Sequence, residues 1–203
     1  MGILGRLRGK HTGDPYWEAF INRPMVAPNG ITSSLLEAPA GKIFPVKTDI
    51  PSPAIMARDL MELATFLGAA SMGVTQTDAA ILAPTADDSA DASVAPEQLA
   101  SDYPHVIVCT VAAESDPAVA LGHGGQFPIQ QLESVLFTVA AYVRELGYRA
   151  VICGIDSPAA AVAAGLGSLD GSGRLTTKEH GAQVYVGRGL LTDIPLVPGR
   201  PVR

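Results

Sequence analysis

The sequence has little of what several common classes of protein require. It contains only two cysteines, Cys109 and Cys153, one tryptophan, and 5% aromatic residues. The cysteines form no CxxC pair of the kind that ligates zinc, and an iron–sulfur cluster takes four cysteine ligands. Each lies in an apolar, strand-like run, VIVCTV or AVICGI, which is typical of a small buried side chain. We therefore predict neither a metal site nor an iron–sulfur cluster.

Positive charge and long apolar runs are also scarce. Fourteen Lys and Arg residues face 20 Asp and Glu residues, for a net charge of −6. This balance argues against nucleic-acid binding, which needs a concentrated basic surface, and we interpret the short basic run at residues 5–10 as a solvated tail. No apolar run approaches the roughly 18 residues of a membrane span, and no export signal is recognisable. We predict a cytoplasmic protein that binds neither membranes nor nucleic acid.

The prolines divide the chain into two parts. They interrupt every short apolar run in residues 1–52, which predicts an irregular N-terminal arm that wraps over a core or a partner. Residues 53–203 are predicted to form one domain. Its first helix begins at Ser52-Pro53, where serine is a favoured cap and proline fits the first turn. A second helix is predicted over residues 128–146, where apolar residues recur at helical spacing.

Strands alternate with these helices. The run HVIVCTVAAE (105–114) is continuously apolar, which predicts a strand buried on both faces. Further strands are predicted in MGVTQTD, in RAVICGI (149–155) and in AQVYVGRGLLTDIPL, and a short helix after Ser157-Pro158. Residues 84–102 are small, polar and acidic, which predicts an exposed loop. The order predicts an α/β (α+β) fold in which helices flank a central sheet.

One glycine-rich stretch, AGLGSLDGSGRLTTKEHG (164–181), stands out. It lacks the strand–GxGxxG–helix order of a dinucleotide-binding turn and the Gly-Lys-Ser/Thr ending of a Walker loop. Because glycine has no Cβ, such a backbone can lie close against a bulky neighbour. The stretch indicates either contact with a large planar ligand or another chain, or a plain connection between a helix and a strand.

The same stretch, read with LLTDIPLVPGRPV after it, resembles the signature region of the cobalamin-dependent reductive dehalogenases and the epoxyqueuosine reductases. Weaker similarity extends upstream to about residue 55. The matching positions are Ala164, Gly165, Leu166, Gly167, Leu169, Gly173, Leu175, Thr177, Glu179, Gly181, Val184, Thr192, Asp193, Pro195 and Leu196.

The resemblance implies a fold related to the flavin nitroreductases, often dimeric, and a corrinoid held base-off largely by main-chain contacts. It places Arg174 at the phosphate of the corrinoid tail. The hydroxyls of Ser168, Thr176 and Thr177 would bind the amide side chains or the nucleotide tail. His180 would approach the cofactor or even ligate cobalt, or else be a solvent-facing turn histidine. The implied cofactor-binding residues are Gly165, Leu166, Gly167, Ser168, Gly173, Arg174, Leu175, Thr176, Thr177 and His180.

The chain also departs from the pattern of those families. Asp170 and Gly171 stand where the families carry Gly and then Arg or Lys, while Lys178 and His180 replace a Pro and a Tyr. The run of eight cysteines that binds two iron–sulfur clusters in those families has no counterpart here. Electrons would therefore come from an external reductase, or the corrinoid would be passed to a corrinoid-handling partner.

Two residues are candidates for catalysis. Asp156 lies roughly where epoxyqueuosine reductases carry an acidic residue, although Asp-Ser-Pro is equally a favoured helix cap. Tyr148 is a candidate proton donor, or else a core tyrosine with its hydroxyl satisfied.

Three functions remain open from the sequence. The first is a corrinoid-binding protein, either a carrier or a reductase supplied with electrons externally. The second is a flavin-binding oxidoreductase that uses FMN on the same fold. The third is a non-catalytic subunit whose N-terminal arm clasps a partner. A homo-oligomer, namely a dimer, is expected.

Overall fold

The computed structural model describes residues 13–24, 35, 41–82, 96–113 and 116–201. Within them two helices come first, strands and helices then alternate, and four strands come last. The helices are α1 (Pro15–Asn22), α2 (Pro53–Phe66), α3 (Pro96–Asp102), α4 (Phe127–Glu145) and α5 (Ser157–Ala163). The strands are β1 (Ser71–Gln76), β2 (His105–Ala112), β3 (Ala150–Cys153), β4 (Ser168–Leu169), β5 (Leu175–Thr176), β6 (Val184–Val186) and β7 (Gly189–Thr192).

Five of the strands form one antiparallel sheet. Its order is β1-β2-β7-β3, and β6 pairs with β2 beside β7. Strand β2 lies at the centre of the sheet. Strand β1 pairs along one of its edges, with Ser71 opposite Thr110, while β7 and then β6 pair along the other edge. The two remaining strands, β4 and β5, form a separate hairpin. The predicted fold, a central sheet flanked by helices, is confirmed.

Helices cover both faces of the sheet. Side chains alternate along β2, so that Ile107 and Cys109 pack among residues of α2 and α4. Val106 and Val108 point the other way and pack against α5 and Leu175 of the hairpin. Burial on both faces explains why β2 has a continuous apolar sequence rather than an alternating one.

The helix ends follow from local sequence. The Ser52 hydroxyl accepts a hydrogen bond from the Ile55 amide at the start of α2, and Asp156 caps α5 in the same way. Three helices end in a Schellman motif, in which a glycine with positive φ follows the helix cap. Those glycines are Gly68, Gly147 and Gly165. The predicted starts of α2 and α5 and the predicted extent of α4 are thus confirmed within a residue or two. No helix in these ranges is long and apolar enough to cross a membrane.

The N-terminal arm is less irregular than predicted. Asp14 caps α1, accepting a hydrogen bond from the Tyr16 amide at 2.8 Å, so Asp-Pro begins a helix here as Ser-Pro does in α2. The described parts of the arm contact their own domain at both ends of α4. The Gly122 amide bonds the Ile21 carbonyl just before α4. At the other end of α4, the Thr48 amide donates a hydrogen bond to the Leu146 carbonyl. The domain boundary at residue 52 stays a prediction.

The predicted exposed loop at 84–102 is wrong for its second part, because residues 96–102 form helix α3. Pro96 and Glu97 occupy its first turn, where proline and acidic residues are favoured. Residues 84–95 lie outside the described ranges.

Both cysteines are apolar packing residues. Burial raises the pKa of Cys109 to about 12 and that of Cys153 to about 11. Such thiols are poor nucleophiles and poor metal ligands at neutral pH. Across the described residues no group of His, Cys, Asp and Glu is arranged to hold a metal ion.

One carboxylate, that of Asp193, joins three parts of the fold. It accepts hydrogen bonds from the Arg149 amide at 2.6 Å, the Arg149 Nε at 3.1 Å and the Lys47 Nζ at 3.1 Å. It therefore ties the end of β7 to the start of β3 and to the arm. Burial opposes ionisation of Asp193, but the hydrogen bonds from Arg149 and Lys47 outweigh it and place the pKa below its ordinary value.

We expect Asp193→Asn to lower the free energy of unfolding at pH 7 by about 1–3 kcal/mol, the range for losing charged hydrogen bonds at a buried site. A carboxyl group with a depressed folded-state pKa stabilises the fold above its unfolded pKa of about 3.9, and this contribution is lost as the pH falls through the folded-state value. Denaturant titrations at pH 7 and pH 3 should therefore show a smaller pH dependence in the variant. Asp59→Asn, at an exposed ion pair with Arg58, is the matched control and should leave stability unchanged. Equal effects of the two substitutions on stability would show that the Asp193 carboxylate does not stabilise the fold through these hydrogen bonds.

Candidate functional site

The glycine-rich stretch folds as a helix end, a β-hairpin and a second turn. Gly165 terminates α5, and β4 then pairs with β5 so that Ser168 faces Thr176 and Leu169 faces Leu175. Leu175 is buried and fixes the hairpin to the sheet beneath it. The plain loop that the sequence suggested is thus a hairpin whose strands are two residues long.

An aspartate organises the tip of this hairpin. One carboxylate oxygen of Asp170 accepts hydrogen bonds from the Ser172 hydroxyl at 2.7 Å, the Ser172 amide at 2.8 Å and the Arg174 amide at 3.0 Å. The Ser172 hydroxyl is the main cause of the lowered pKa of Asp170. Gly173 then takes a positive φ of 81°, as a three-residue hairpin loop requires. The two departures at Asp170 and Gly171 therefore fit a self-contained turn.

Two glycines of the stretch are packed against the chain itself. A Cβ on Gly167 would overlap the Thr176 carbonyl oxygen, and one on Gly165 would overlap the Arg200 carbonyl oxygen. The glycine-rich sequence predicted either close contact with a ligand or another chain, or a plain connection. In the structure the close neighbour of these two glycines is the protein's own backbone. Gly171 and Gly173 differ, because no atom lies within 4 Å of a Cβ built on either.

A second turn follows the hairpin. Thr177 and Gly181 exchange two backbone hydrogen bonds of 2.9 and 2.8 Å, and the Thr177 hydroxyl accepts another from the His180 amide at 3.2 Å. Gly181 has a φ of 56°, which favours glycine. The turn holds His180 half-buried at its end.

This second turn closes one side of a cavity of about 470 Å³, here named the α2 cavity. Its other walls are the last turns of α2, the start of β1 and the residues after α5. Four predicted cofactor-binding residues meet here: Gly165, Leu166, Thr177 and His180. The remaining lining residues are Met61, Glu62, Thr65, Ala70, Ser71, Met72, Lys178 and Glu179.

The tip of the hairpin borders a different cavity, of about 510 Å³, here named the hairpin cavity. Three predicted cofactor-binding residues line it: Gly173, Arg174 and Leu175. The Arg174 guanidinium is exposed and makes no hydrogen bond or ion pair with another described residue. The other lining residues are Ala113, Asp116, Pro117, Pro158, Ala182, Gln183, Val184, Tyr185 and Val186.

The predicted cofactor-binding residues are thus divided between two cavities rather than gathered in one. Three of them, Gly167, Ser168 and Thr176, line neither cavity. The hydroxyl of Thr176 donates to the Ser168 carbonyl at 2.9 Å, so it is engaged within the hairpin. Their part in cofactor binding stays a prediction.

The two predicted catalytic residues have structural partners. The Asp156 carboxylate accepts a hydrogen bond from the Ala159 amide at 3.1 Å, as a helix cap does. Tyr148 is 7% exposed, and its hydroxyl donates to the Thr48 carbonyl at 2.8 Å. Neither residue lines either cavity, and their catalytic roles stay predictions.

Two ionisable residues of the hairpin cavity, Tyr185 and Asp116, were not predicted from the sequence. Burial raises the pKa of Tyr185, and the nearby carboxylates of Glu133 and Asp116 add to the effect. The phenol is therefore neutral at pH 7 and able to donate a proton or a hydrogen bond. The one available signal was the Asp-Pro pair at 116–117, which favours a turn.

The fold, an antiparallel sheet between helices, is similar to that of several solved reductase structures. One is the catabolic reductive dehalogenase NpRdhA, at a TM-score of 0.64 and 18% identity over 85% of this chain. Another is a reductive dehalogenase whose structure is described as suggesting a mechanism for B12-dependent dehalogenation, at a TM-score of 0.63 and 18% identity. A third is an epoxyqueuosine reductase in complex with a tRNA stem loop, at a TM-score of 0.53 and 17% identity over 73% of this chain.

At these identities the likeness concerns the fold. The chain spans 26% of the length of the dehalogenases and 48% of that of the epoxyqueuosine reductase. No protein-family model and no curated protein matches the sequence.

A series of glycine substitutions tests which glycines serve the fold. We expect Gly167→Ala to lower the free energy of unfolding by about 1–3 kcal/mol, because the new methyl group overlaps the Thr176 carbonyl. Gly171→Ala, where the space is open, should change stability by no more than about 0.5 kcal/mol. Denaturant titration of the two variants without added ligand measures both. A neutral Gly167→Ala would show that this packing does not exist in solution.

Proposed function

We propose that this chain binds a corrinoid beside the β4–β5 hairpin. The observation that carries the proposal is the position of that hairpin. The segment that resembles the cobalamin-dependent families in sequence borders both the α2 cavity and the hairpin cavity. The fold likeness to a dehalogenase described in terms of B12 supports the same proposal.

The residues present suit such a ligand. A corrinoid combines a broad planar ring, amide side chains and a nucleotide tail that carries a phosphate. The α2 cavity offers the apolar side chains of Met61, Met72 and Leu166 together with the polar turn at 177–180. The hairpin cavity offers Arg174, whose guanidinium suits a phosphate. Since a cavity of about 300–1,000 Å³ encloses a drug-sized ligand, a corrinoid in either cavity would remain partly exposed.

In this proposal each group of residues has one task. Gly165, Leu166 and the 177–180 turn, with Thr177 and His180, hold the ring or its amides. Arg174 pairs with the tail phosphate, and the open backbone at Gly173 lets the ligand approach the hairpin tip. When bound, the cobalt supplies the reductive chemistry. Tyr185 is a further neutral donor on the wall of the hairpin cavity.

Electrons in this proposal come from a separate reductase. The sequence holds only two cysteines, Cys109 buried and Cys153 partly buried, both with raised pKa values, whereas an iron–sulfur cluster takes four thiolates. The two proposed modes of action, carrier and reductase, differ in whether the corrinoid stays bound. A carrier releases its corrinoid to an acceptor protein, while a reductase keeps it through many turnovers.

The first test is retention of a corrinoid. The purified protein is incubated with hydroxocobalamin, freed of excess by gel filtration and examined by visible spectroscopy. We expect about one corrinoid per chain with a base-off spectrum. A protein that retains FMN instead, or no chromophore at all, would refute the proposal.

The second test isolates Arg174. We expect Arg174→Ala to weaken hydroxocobalamin binding by about ten- to a hundredfold, since a charged hydrogen bond contributes roughly 1.5–3 kcal/mol. The variant should bind cobinamide, which lacks the nucleotide tail and its phosphate, as well as the unmodified protein does. Arg58→Ala, on the exposed face of α2 and outside both cavities, is the matched control. If Arg174→Ala weakened both ligands equally, Arg174 would not be the phosphate contact.

A further inference from the structure

One side of the hairpin cavity is formed by a loop that precedes α4. Asp116 and Pro117 line the cavity. Asp116 starts a turn, accepting hydrogen bonds from the Ala118 amide through its carboxylate and from the Ala120 amide through its carbonyl, both at 2.9 Å. The Gln126 side chain donates to the Pro117 carbonyl at 2.8 Å and joins the end of the loop to its beginning. Residues 116–126 therefore form one connected unit.

Helix α1 of the N-terminal arm is attached to this loop. The Gly122 amide donates to the Ile21 carbonyl at 2.8 Å, and the Gly124 amide donates to the Phe20 carbonyl at 2.9 Å. A Cβ on Gly122 would overlap the backbone of Phe20 and Ile21, and one on Gly124 would overlap their side chains. Two of the three glycines of LGHGGQF, Gly122 and Gly124, are thus explained by the seating of α1, because only a bare backbone leaves room for it. The third, Gly125, is packed against Ala120 of the same loop.

The attachment of α1 is small compared with the sheet. Ile21 is the only buried residue of the helix, while Tyr16 is 86% exposed and Phe20 is 41% exposed. A unit with so few buried apolar contacts opens locally without unfolding the rest of the protein. The loop to which it is bonded would lose two hydrogen bonds and its apolar cover in that event.

We infer that α1 is a strap that fixes the wall of the hairpin cavity. While α1 is docked, Asp116 and Pro117 are held in the positions described above. When it undocks, residues 116–126 are freed as a unit while the sheet stays folded. This inference stands on the contacts of α1 and is independent of which ligand the cavity takes.

The test uses Trp17, the one tryptophan of the sequence, as a reporter of α1. Trp17 is half-buried and packs against Phe20, with ring centroids 5.2 Å apart. In Gly122→Ala we expect acrylamide to quench its fluorescence at least about twofold more efficiently, as for a side chain released to solvent. Gly171→Ala, an alanine placed in open space on the hairpin, is the matched control and should leave quenching unchanged.

Hydrogen exchange measures the coupling in the same variant. Amides of 13–24 and of 116–126 should exchange faster by a common factor, at least about tenfold, while those of β2 stay protected. Release of Trp17 without faster exchange at 116–126 would overturn the inference, and so would no change in either. If Gly122→Ala fails to fold, Ile21→Ala gives the same readouts, because it removes the buried side chain of α1 without adding bulk at the loop.

Discussion

The structure depends on the pairing of strand β2 along both of its edges. Its eight residues bond to β1 on one side and to β7 and β6 on the other, so every neighbouring strand takes its position from this one. Because residues 106–111 of β2 are buried, their apolar side chains also pack against the layers on both faces of the sheet. The two cavities follow from this arrangement. The α2 cavity lies where α2 and β1 meet the residues after α5, and the hairpin cavity has β6 in its wall.

The elements that sequence predicted are those whose signals are local. A continuous apolar run defines β2, apolar residues at helical spacing define α4, and Ser-Pro with a later glycine marks both ends of α2. Helix α1 carries the same kind of signal, Asp-Pro, but the density of prolines around it favoured an irregular arm. Its position could not be predicted, because it depends on Gly122 and Gly124, which are about a hundred residues away in sequence.

The candidate site was harder to predict than the fold. The predicted cofactor-binding residues lie in one stretch, 165–180, which suggested one binding surface. A hairpin separates such a stretch in space: its base, with Gly165 and Thr177, lies at the α2 cavity, while its tip, with Arg174, lies at the hairpin cavity. Strands of two residues are too short to show the alternation that predicts a strand. Only the turn chemistry of Asp-Gly-Ser-Gly indicated them.

The glycines of the stretch therefore differ in how strongly they indicate a ligand. Gly165 and Gly167 are required by contacts within the chain, so their match to the cobalamin-dependent families supports a common fold whether or not a ligand binds. Arg174 and Gly173 are different. The Arg174 guanidinium makes no hydrogen bond or ion pair with another described residue, although it interacts electrostatically with Asp170, and the backbone at Gly173 faces open space. The backbone at Gly171, one of the positions where the chain departs from the families, also faces open space. Since Asp170 closes the turn with its own carboxylate, the departure changes how the tip is built while leaving it accessible. The proposed ligand contacts are therefore those of the hairpin tip and of the 177–180 turn, while Gly165 and Gly167 belong to the scaffold.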